Sequence, residues 1–230
     1  MSRIIEKFFK IVPRYSLIPE ILIFVLNSAV YWGTKLLNHN WFHYDLTLPI
    51  DEAIPIVPFF IFFYVIAYVQ WVVGYIVIGR ESEEVCYRVL SGQHISKFIC
   101  AVFFLAMPTM IARVPYEGTG FYAWTTEMLY KSDTPTNLFP SIHCLESWLC
   151  LRCSINLKKP PAWYKYVMLF ITVGVFASVV FVKQHFFIDI IGGILVGELG
   201  LLISRVTGAG RIYKKLNEKI WKPKSNTSEN

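Results

Sequence analysis

The feature that most constrains this chain is a series of long apolar runs separated by short polar segments. Of its 230 residues, 55% are hydrophobic, and the mean hydropathy is +0.47. A soluble domain is usually about 45–50% apolar, whereas a run of about 20 apolar residues can cross a bilayer as a helix. We therefore predict an all-α, polytopic membrane bundle with about six transmembrane helices. The predicted spans cover approximately 17–37, 54–78, 95–113, 141–157, 163–182 and 187–206.

Lysine and arginine are unevenly distributed along the chain, and their distribution predicts its orientation. The formal net charge is +6, and the positive residues concentrate at the two ends and in the loops 80–94 and 158–165. The positive-inside rule places these segments in the cytoplasm, so we interpret the basic tail as facing anionic lipids rather than nucleic acid. We predict a cytoplasmic amphipathic lead-in (1–16), a six-span membrane domain (17–206) and a basic cytoplasmic tail (207–230) with a disordered end.

The five cysteines predict packing rather than chemistry. They fall in apolar runs or in a predicted cytoplasmic loop, where a free cysteine behaves as a small apolar side chain. Two of them form one C-x2-C pair, but no second pair accompanies it. We therefore predict neither a zinc site nor a disulfide. The cysteines are Cys86, Cys100, Cys144, Cys150 and Cys153.

Two short stretches each place a histidine at the edge of an apolar run. The first is Phe-Pro-Ser-Ile-His, which ends at His143, and the second runs from Ser178 through His185 to Asp189. Residues i and i+4 share a face of a helix. Asp189 can therefore hold one imidazole nitrogen of His185 and leave the other nitrogen free to act, as in a catalytic triad.

These residues resemble the type 2 phosphatidic acid phosphatase superfamily, the integral-membrane relatives of vanadium haloperoxidases. That family has three motifs: Lys-x6-Arg-Pro, Pro-Ser-Gly-His and Ser-Arg-x5-His-x3-Asp. The segment from Pro140 to His143 matches the second motif. Ser178, His185 and Asp189 match the third motif at the right spacing. The resemblance covers roughly 106–205.

The chain departs from the family pattern mainly at its basic positions. Ala106 stands at the first-motif lysine, Val114 at the first-motif proline, and Val179 at the third-motif arginine. Ile142 replaces the glycine of the second motif. In the changes at these two lost basic positions, the chain resembles the branch of the superfamily that contains inositol-phosphorylceramide and sphingolipid synthases. They predict a site with fewer cations or a substrate phosphate with a different charge.

The resemblance implies a role for each matched residue. His185 is expected to attack phosphorus, Asp189 to orient it, and His143 to protonate the departing oxygen. Neither a cofactor nor a metal is implied. The candidates for binding the substrate phosphate are Arg113, Ser141, Ser178 and Lys183.

The longest predicted loop, 115–139, directly precedes the second motif. A loop of this length is often a lid or a wall of a binding site, and a merely variable connection fits it equally well. Arg113, His143, His185 and Asp189 all fall at span ends opposite to the termini. The sequence therefore predicts a site on the non-cytoplasmic side.

Three interpretations of function remain open at this stage. The favoured one is a lipid phosphatase or phosphotransferase that works through a phosphohistidine. A lipid phosphate, a polyprenyl pyrophosphate or a phospholipid head-group donor would each fit as substrate, with water or an alcohol as acceptor. The alternatives are a non-catalytic lipid-binding or scramblase-like protein, and a metal site built from His143, His185 and Asp189. We expect the membrane to be a bacterial cell membrane rather than a eukaryotic secretory one.

Overall fold

A computed structural model describes residues 3–113 and 118–221 of the chain. These residues form a helical bundle, so the prediction of an all-α membrane protein is confirmed. A short 3-10 turn at Pro58–Phe60 leads into α4. The helices are α1 (Arg3–Ile11), α2 (Leu17–Asn38), α3 (Pro49–Ala53), α4 (Ile61–Glu81), α5 (Glu83–Ala106), α6 (Phe121–Ser132), α7 (Ile142–Ser154), α8 (Tyr164–Phe181), α9 (Phe187–Thr207) and α10 (Arg211–Trp221).

Five helices in the described residues are long and apolar enough to cross a membrane: α2, α4 with its 3-10 turn, α5, α8 and α9. The predicted fourth span, 141–157, is the 13-residue helix α7. A helix of this length measures about 20 Å, against about 30 Å for a hydrocarbon core. It packs against α4, α8 and α9, and Leu145 and Leu149 are fully buried. Helix α7 therefore lies inside the bundle, surrounded by the longer helices.

The predicted loop 80–94 is wrong, because most of it is the start of α5. Only Ser82 separates α4 from α5, and its hydroxyl accepts a hydrogen bond from the Val85 amide at 3.2 Å. A serine in this position is a favourable helix N-cap. Gln93 and His94, which fall in the predicted loop, are buried in the bundle. The polar residues mark an inward helix face rather than a break between helices.

The glycines of α9 allow close packing against neighbouring helices. A Cβ atom on Gly200 would lie 2.1 Å from Ser96 Oγ and 2.4 Å from the Gly92 carbonyl oxygen of α5. A Cβ atom on Gly193 would lie 2.7 Å from the Ser141 carbonyl oxygen. Because small residues let helix backbones approach each other, α9 lies against both α5 and the first turn of α7.

A buried ion pair ties α7 to α5. Lys97 Nζ lies 2.5 Å from Glu146 Oε1, and both side chains are almost fully buried. Gln93 Nε2 donates to the same oxygen at 2.7 Å, and the Tyr75 hydroxyl of α4 donates to the other oxygen. Ionisable groups at membrane depth are tolerated when they pair inside a bundle. This network holds α7 in place at Glu146, which lies one turn beyond His143.

Several predicted segments lie outside the membrane spans. Helix α1 falls within the predicted lead-in and α10 within the predicted tail, while their cytoplasmic location stays a prediction. Helix α6 occupies the middle of the predicted loop 115–139. Residues 222–230, where the end of the predicted tail lies, and Val114, at the first-motif proline position, lie outside the described residues.

Candidate active site

His185 occupies the turn just before α9, and Asp189 occupies the first turn of that helix. His185 Nδ1 lies 3.1 Å from Asp189 Oδ2 and 3.1 Å from the Leu138 carbonyl oxygen. Asp189 Oδ2 also accepts a hydrogen bond from the Phe186 amide at 3.0 Å. Since both neighbours of Nδ1 are acceptors, we assign the proton to Nδ1. The other ring nitrogen, Nε2, then carries a free lone pair.

His143 lies in the first turn of α7, and its ring is enclosed by aromatic side chains of α4. The ring stacks on Tyr64 with centroids 4.1 Å apart, and Trp71 and Tyr68 lie 5.1 Å and 5.5 Å away. The His185 ring is 6.1 Å distant. His143 Nε2 is buried and has no hydrogen-bond partner among the described residues. The arrangement fixes the ring while leaving one nitrogen available.

Both histidines line one cavity of about 270 Å³, which we call the histidine cavity. Its other walls come from α2, from α4 and from the segment between α6 and α7. They are rich in aromatic and amide side chains. The principal wall residues are Tyr31, Trp32, Tyr64, Tyr68, Trp71, Asp133, Asn137 and Gln184.

Arg113 lies beside this cavity but does not form its wall. Its guanidinium donates to the Asp133 carbonyl oxygen and to Gln184 Oε1, both at 2.6 Å, and it stacks over Tyr130 at 4.7 Å. Burial lowers the pKa of Arg113, and the nearby Asp133 carboxylate opposes that shift. Arg113 therefore contacts the cavity wall through Gln184, the residue next to His185. Its predicted role as a phosphate clamp stays a prediction.

The structure does not bring Ser141, Ser178 or Lys183 to the histidine cavity. Ser141 Oγ accepts from the Cys144 amide at 3.3 Å and caps α7. Ser178 Oγ donates to a carbonyl of its own helix at 2.8 Å.

Lys183 points away from the histidines. Its ammonium donates to the carbonyl oxygens of Asp51 and Ile54 at 2.6 Å and 2.5 Å. The physical reason is its backbone, which has a φ of 48° in the tight turn after α8. Burial lowers its pKa, with an opposing effect from the Asp51 carboxylate. Lys183 therefore anchors the segment before α4, and its predicted role in binding the substrate phosphate stays a prediction.

Sequence reasoning missed an ion pair at the rim of the cavity. Lys35 Nζ lies 2.8 Å from Asp133 Oδ1 and 2.5 Å from the Tyr31 hydroxyl, which itself bonds to Asp133. Tyr31 and Asp133 both line the cavity. A lysine inside a predicted span was the available signal, because ionisable residues there usually have a function. Its partner is 98 residues away in sequence, so only the fold reveals the pair.

A metal site receives no support from this geometry. Among the described residues, no group of three or more His, Cys, Asp or Glu side chains is placed to hold a metal ion. One carboxylate oxygen of Asp189 instead accepts hydrogen bonds from His185 Nδ1 and from the Phe186 amide.

Comparison with known families agrees with the motif resemblance. A family model described as the PAP2 superfamily matches residues 39–203. This match covers more than half of the chain and includes both histidines, so the chain belongs to the PAP2 superfamily. Members are generally phosphatases, and membership supports a lipid phosphoesterase of the phosphatase or phosphotransferase type. Searches of curated proteins and of solved structures gave no significant match. The link to the sphingolipid-synthase branch stays a prediction.

Proposed function

We propose that this protein cleaves a lipid phosphate ester through a phosphohistidine intermediate on His185. The observation that carries the proposal is the hydrogen bond that His185 Nδ1 donates to Asp189 Oδ2, beside a cavity that both His185 and His143 line. A hydrogen-bonded carboxylate fixes the tautomer and stabilises the imidazolium that forms during attack. This is the residue arrangement that phosphoryl transfer to a histidine requires.

In the first step, His185 Nε2 attacks phosphorus while the bond to the leaving oxygen breaks. Protonated His143 donates its proton to that oxygen, so the leaving group departs as a neutral alcohol. In the second step, neutral His143 removes a proton from water or an alcohol, whose oxygen attacks the phosphorylated His185. The nitrogen–phosphorus bond then breaks, and both histidines return to their starting states.

The substrate we propose is a phosphodiester head group rather than a phosphate monoester. Motif charges are absent at Ala106 and Val179. The remaining nearby cations, Arg113 and Lys35, are held by Asp133 and by other protein acceptors. A phosphodiester has one fewer ionisable oxygen than a monoester, so it needs fewer free cations. We therefore expect the kcat/KM of head-group hydrolysis or transfer to exceed that of phosphatidic acid hydrolysis.

The chemistry is proposed to occur on the non-cytoplasmic face. The support is the position of both histidines at helix ends opposite to the basic segments. A single cysteine introduced in 118–139 should react with an impermeant reagent in intact cells. A single cysteine introduced in α10 should react only after the cells are permeabilised. Reaction of both from one side would contradict this orientation.

The intermediate itself is the direct test. Purified protein in nanodiscs is incubated with a phospholipid carrying a radiolabelled head-group phosphate, then quenched at alkaline pH. We expect an acid-labile, base-stable label on the wild type and none on His185→Gln. His39→Gln is a matched control, because His39 is an exposed histidine that lies outside the cavity. Undiminished labelling of His185→Gln would refute the proposed nucleophile.

A further inference from the structure

A second cavity lies at the opposite end of the bundle and has a different character. Its volume is about 470 Å³, and α5, α7 and α9 form its walls. We call it the arginine cavity because three arginines line it: Arg88, Arg152 and Arg205. Among the described residues that line it, Glu198 alone is acidic. The wall therefore carries a net positive charge.

Chain direction places this cavity far from the histidines. Helix α7 begins at the turn of His143 and ends at the turn of Arg152. Helix α9 begins at the turn of Asp189 and has Arg205 in its last turn. Helix α5 runs the other way, and the Ser204 hydroxyl donates to the Arg88 carbonyl at 2.7 Å. The arginine cavity thus faces the membrane side to which the positive-inside rule assigns the cytoplasm.

The three arginines differ in how strongly they pair with carboxylates of the protein. Arg152 Nε pairs with Glu198 Oε1 at 3.1 Å, and Trp148 donates to the same oxygen. Among the described carboxylates, Arg88 pairs with Glu84 alone, at 3.9 Å on an exposed surface, where an ion pair contributes little. Within the part of the chain that the structure describes, no carboxylate pairs with Arg205. Two guanidinium groups thus remain available to an anion.

An apolar surface leads from this cavity toward the bilayer interior. Leu202 belongs to the cavity wall and also to a row of outward-facing side chains on α9. The row consists of Leu195, Leu199, Leu202 and Val206, which are 44–76% exposed. In a membrane this row contacts acyl chains. A ligand with a charged head and apolar tails would match both surfaces at once.

We infer that the arginine cavity binds an anionic phospholipid of the cytoplasmic leaflet. Its phosphate is held by Arg88 and Arg205, and its chains lie along the apolar row of α9. Guanidinium groups bind phosphate oxygens through paired, charge-assisted hydrogen bonds. Basic pockets between helices on the cytoplasmic side suit anionic head groups. This site is separate from the catalytic proposal and does not depend on it.

The test is a count of retained lipids by native mass spectrometry of the full chain in detergent. Phosphatidylglycerol and phosphatidylcholine are titrated separately, and inorganic phosphate is a third arm. We expect wild type to retain phosphatidylglycerol in preference to phosphatidylcholine. The Arg88→Gln/Arg205→Gln variant should retain one phosphatidylglycerol fewer, with an affinity loss of about fivefold for each arginine.

Two variants separate this site from nonspecific charge attraction. Lys165→Gln removes a positive charge at the start of α8, outside the cavity, and should bind as wild type does. Glu198→Gln removes the acidic wall residue and should tighten binding. Equal retention by the double variant, or equal binding of both lipids, would overturn the inference. Complete displacement by millimolar inorganic phosphate would make this a site for free phosphate and overturn the lipid assignment.

Discussion

The two ends of the bundle differ in whether their positively charged side chains have fixed protein partners. Beside the histidine cavity, Arg113 and Lys35 are bonded to backbone carbonyls, to Gln184 and to Asp133. Around the arginine cavity, Arg88 and Arg205 are exposed and only weakly paired. A cation with fixed protein partners is not free for a ligand. The number of cations near a site is therefore a poor guide to its affinity for anions.

The two cavities also differ in the source of their specificity. The histidine cavity depends on which nitrogen of each imidazole is free, which is a matter of hydrogen bonding. The arginine cavity depends on net charge and on an adjacent apolar surface. Substitutions that disturb the hydrogen bonding of the imidazoles should therefore act on the first end, whereas substitutions that remove arginine charge should act on the second.

The largest expected effect comes from a nearly isosteric change at Asp189. Asp189→Asn removes the negative charge and offers an amide that can donate to His185 Nδ1, which favours the wrong tautomer. Loss of this carboxylate function lowers kcat by about 10⁴-fold in a comparable triad. We expect a loss of roughly that size in steady-state phospholipid turnover, with the protein still monodisperse. A loss of less than about tenfold would contradict the assigned role of Asp189.

His143→Ala should give a smaller loss that depends on the leaving group. General acid catalysis contributes about 10²–10⁴-fold, and a leaving group of low pKa needs little help from an acid. We expect the full loss with a phospholipid and a much smaller one with a p-nitrophenyl phosphodiester. Equal losses with the two substrates would show that His143 does not donate the proton.

Asp133→Asn should shift substrate preference by about tenfold. It removes the charge that neutralises Lys35 at the rim of the histidine cavity, and a charged hydrogen bond to phosphate contributes about 1.5–3 kcal/mol. The ratio of kcat/KM for phosphatidic acid to that for a phosphodiester should therefore rise. Glu127→Gln is the matched control, because it breaks the exposed pair of Glu127 with Lys131 on α6. An unchanged ratio in Asp133→Asn would exclude Lys35 from substrate selection.

The smallest expected effect concerns the close contact between α5 and α9 at Gly200. Gly200→Ala would force a Cβ atom against Ser96 Oγ and the Gly92 carbonyl oxygen, and overpacking costs about 1–3 kcal/mol. We expect a lower Tm with little change in substrate preference. Gly33→Ala is the control, because nothing lies within 4 Å of its added Cβ. Equal Tm values for the two variants would contradict the close α5–α9 packing.

Much of the fold and the family was predictable from the sequence alone. Apolar runs of about 20 residues predict membrane helices because the bilayer core demands that length. The spacing of His185 and Asp189 predicts their contact on one helix face, and the structure has that contact, although His185 lies in the turn before α9 and only Asp189 lies in the helix. The family match over 39–203 agrees with that local reading. Local spacing and bulk apolarity are properties that a sequence carries directly.

The tertiary structure alone decided which charges reach the site. It turned Lys183 toward Asp51 and Ile54. It also paired Lys35 with Asp133 across 98 residues of sequence, and it assembled the arginine cavity from three helices. These outcomes depend on helix packing and on single backbone turns. Neither leaves a periodic signal in the sequence, because each is set by contacts between distant segments.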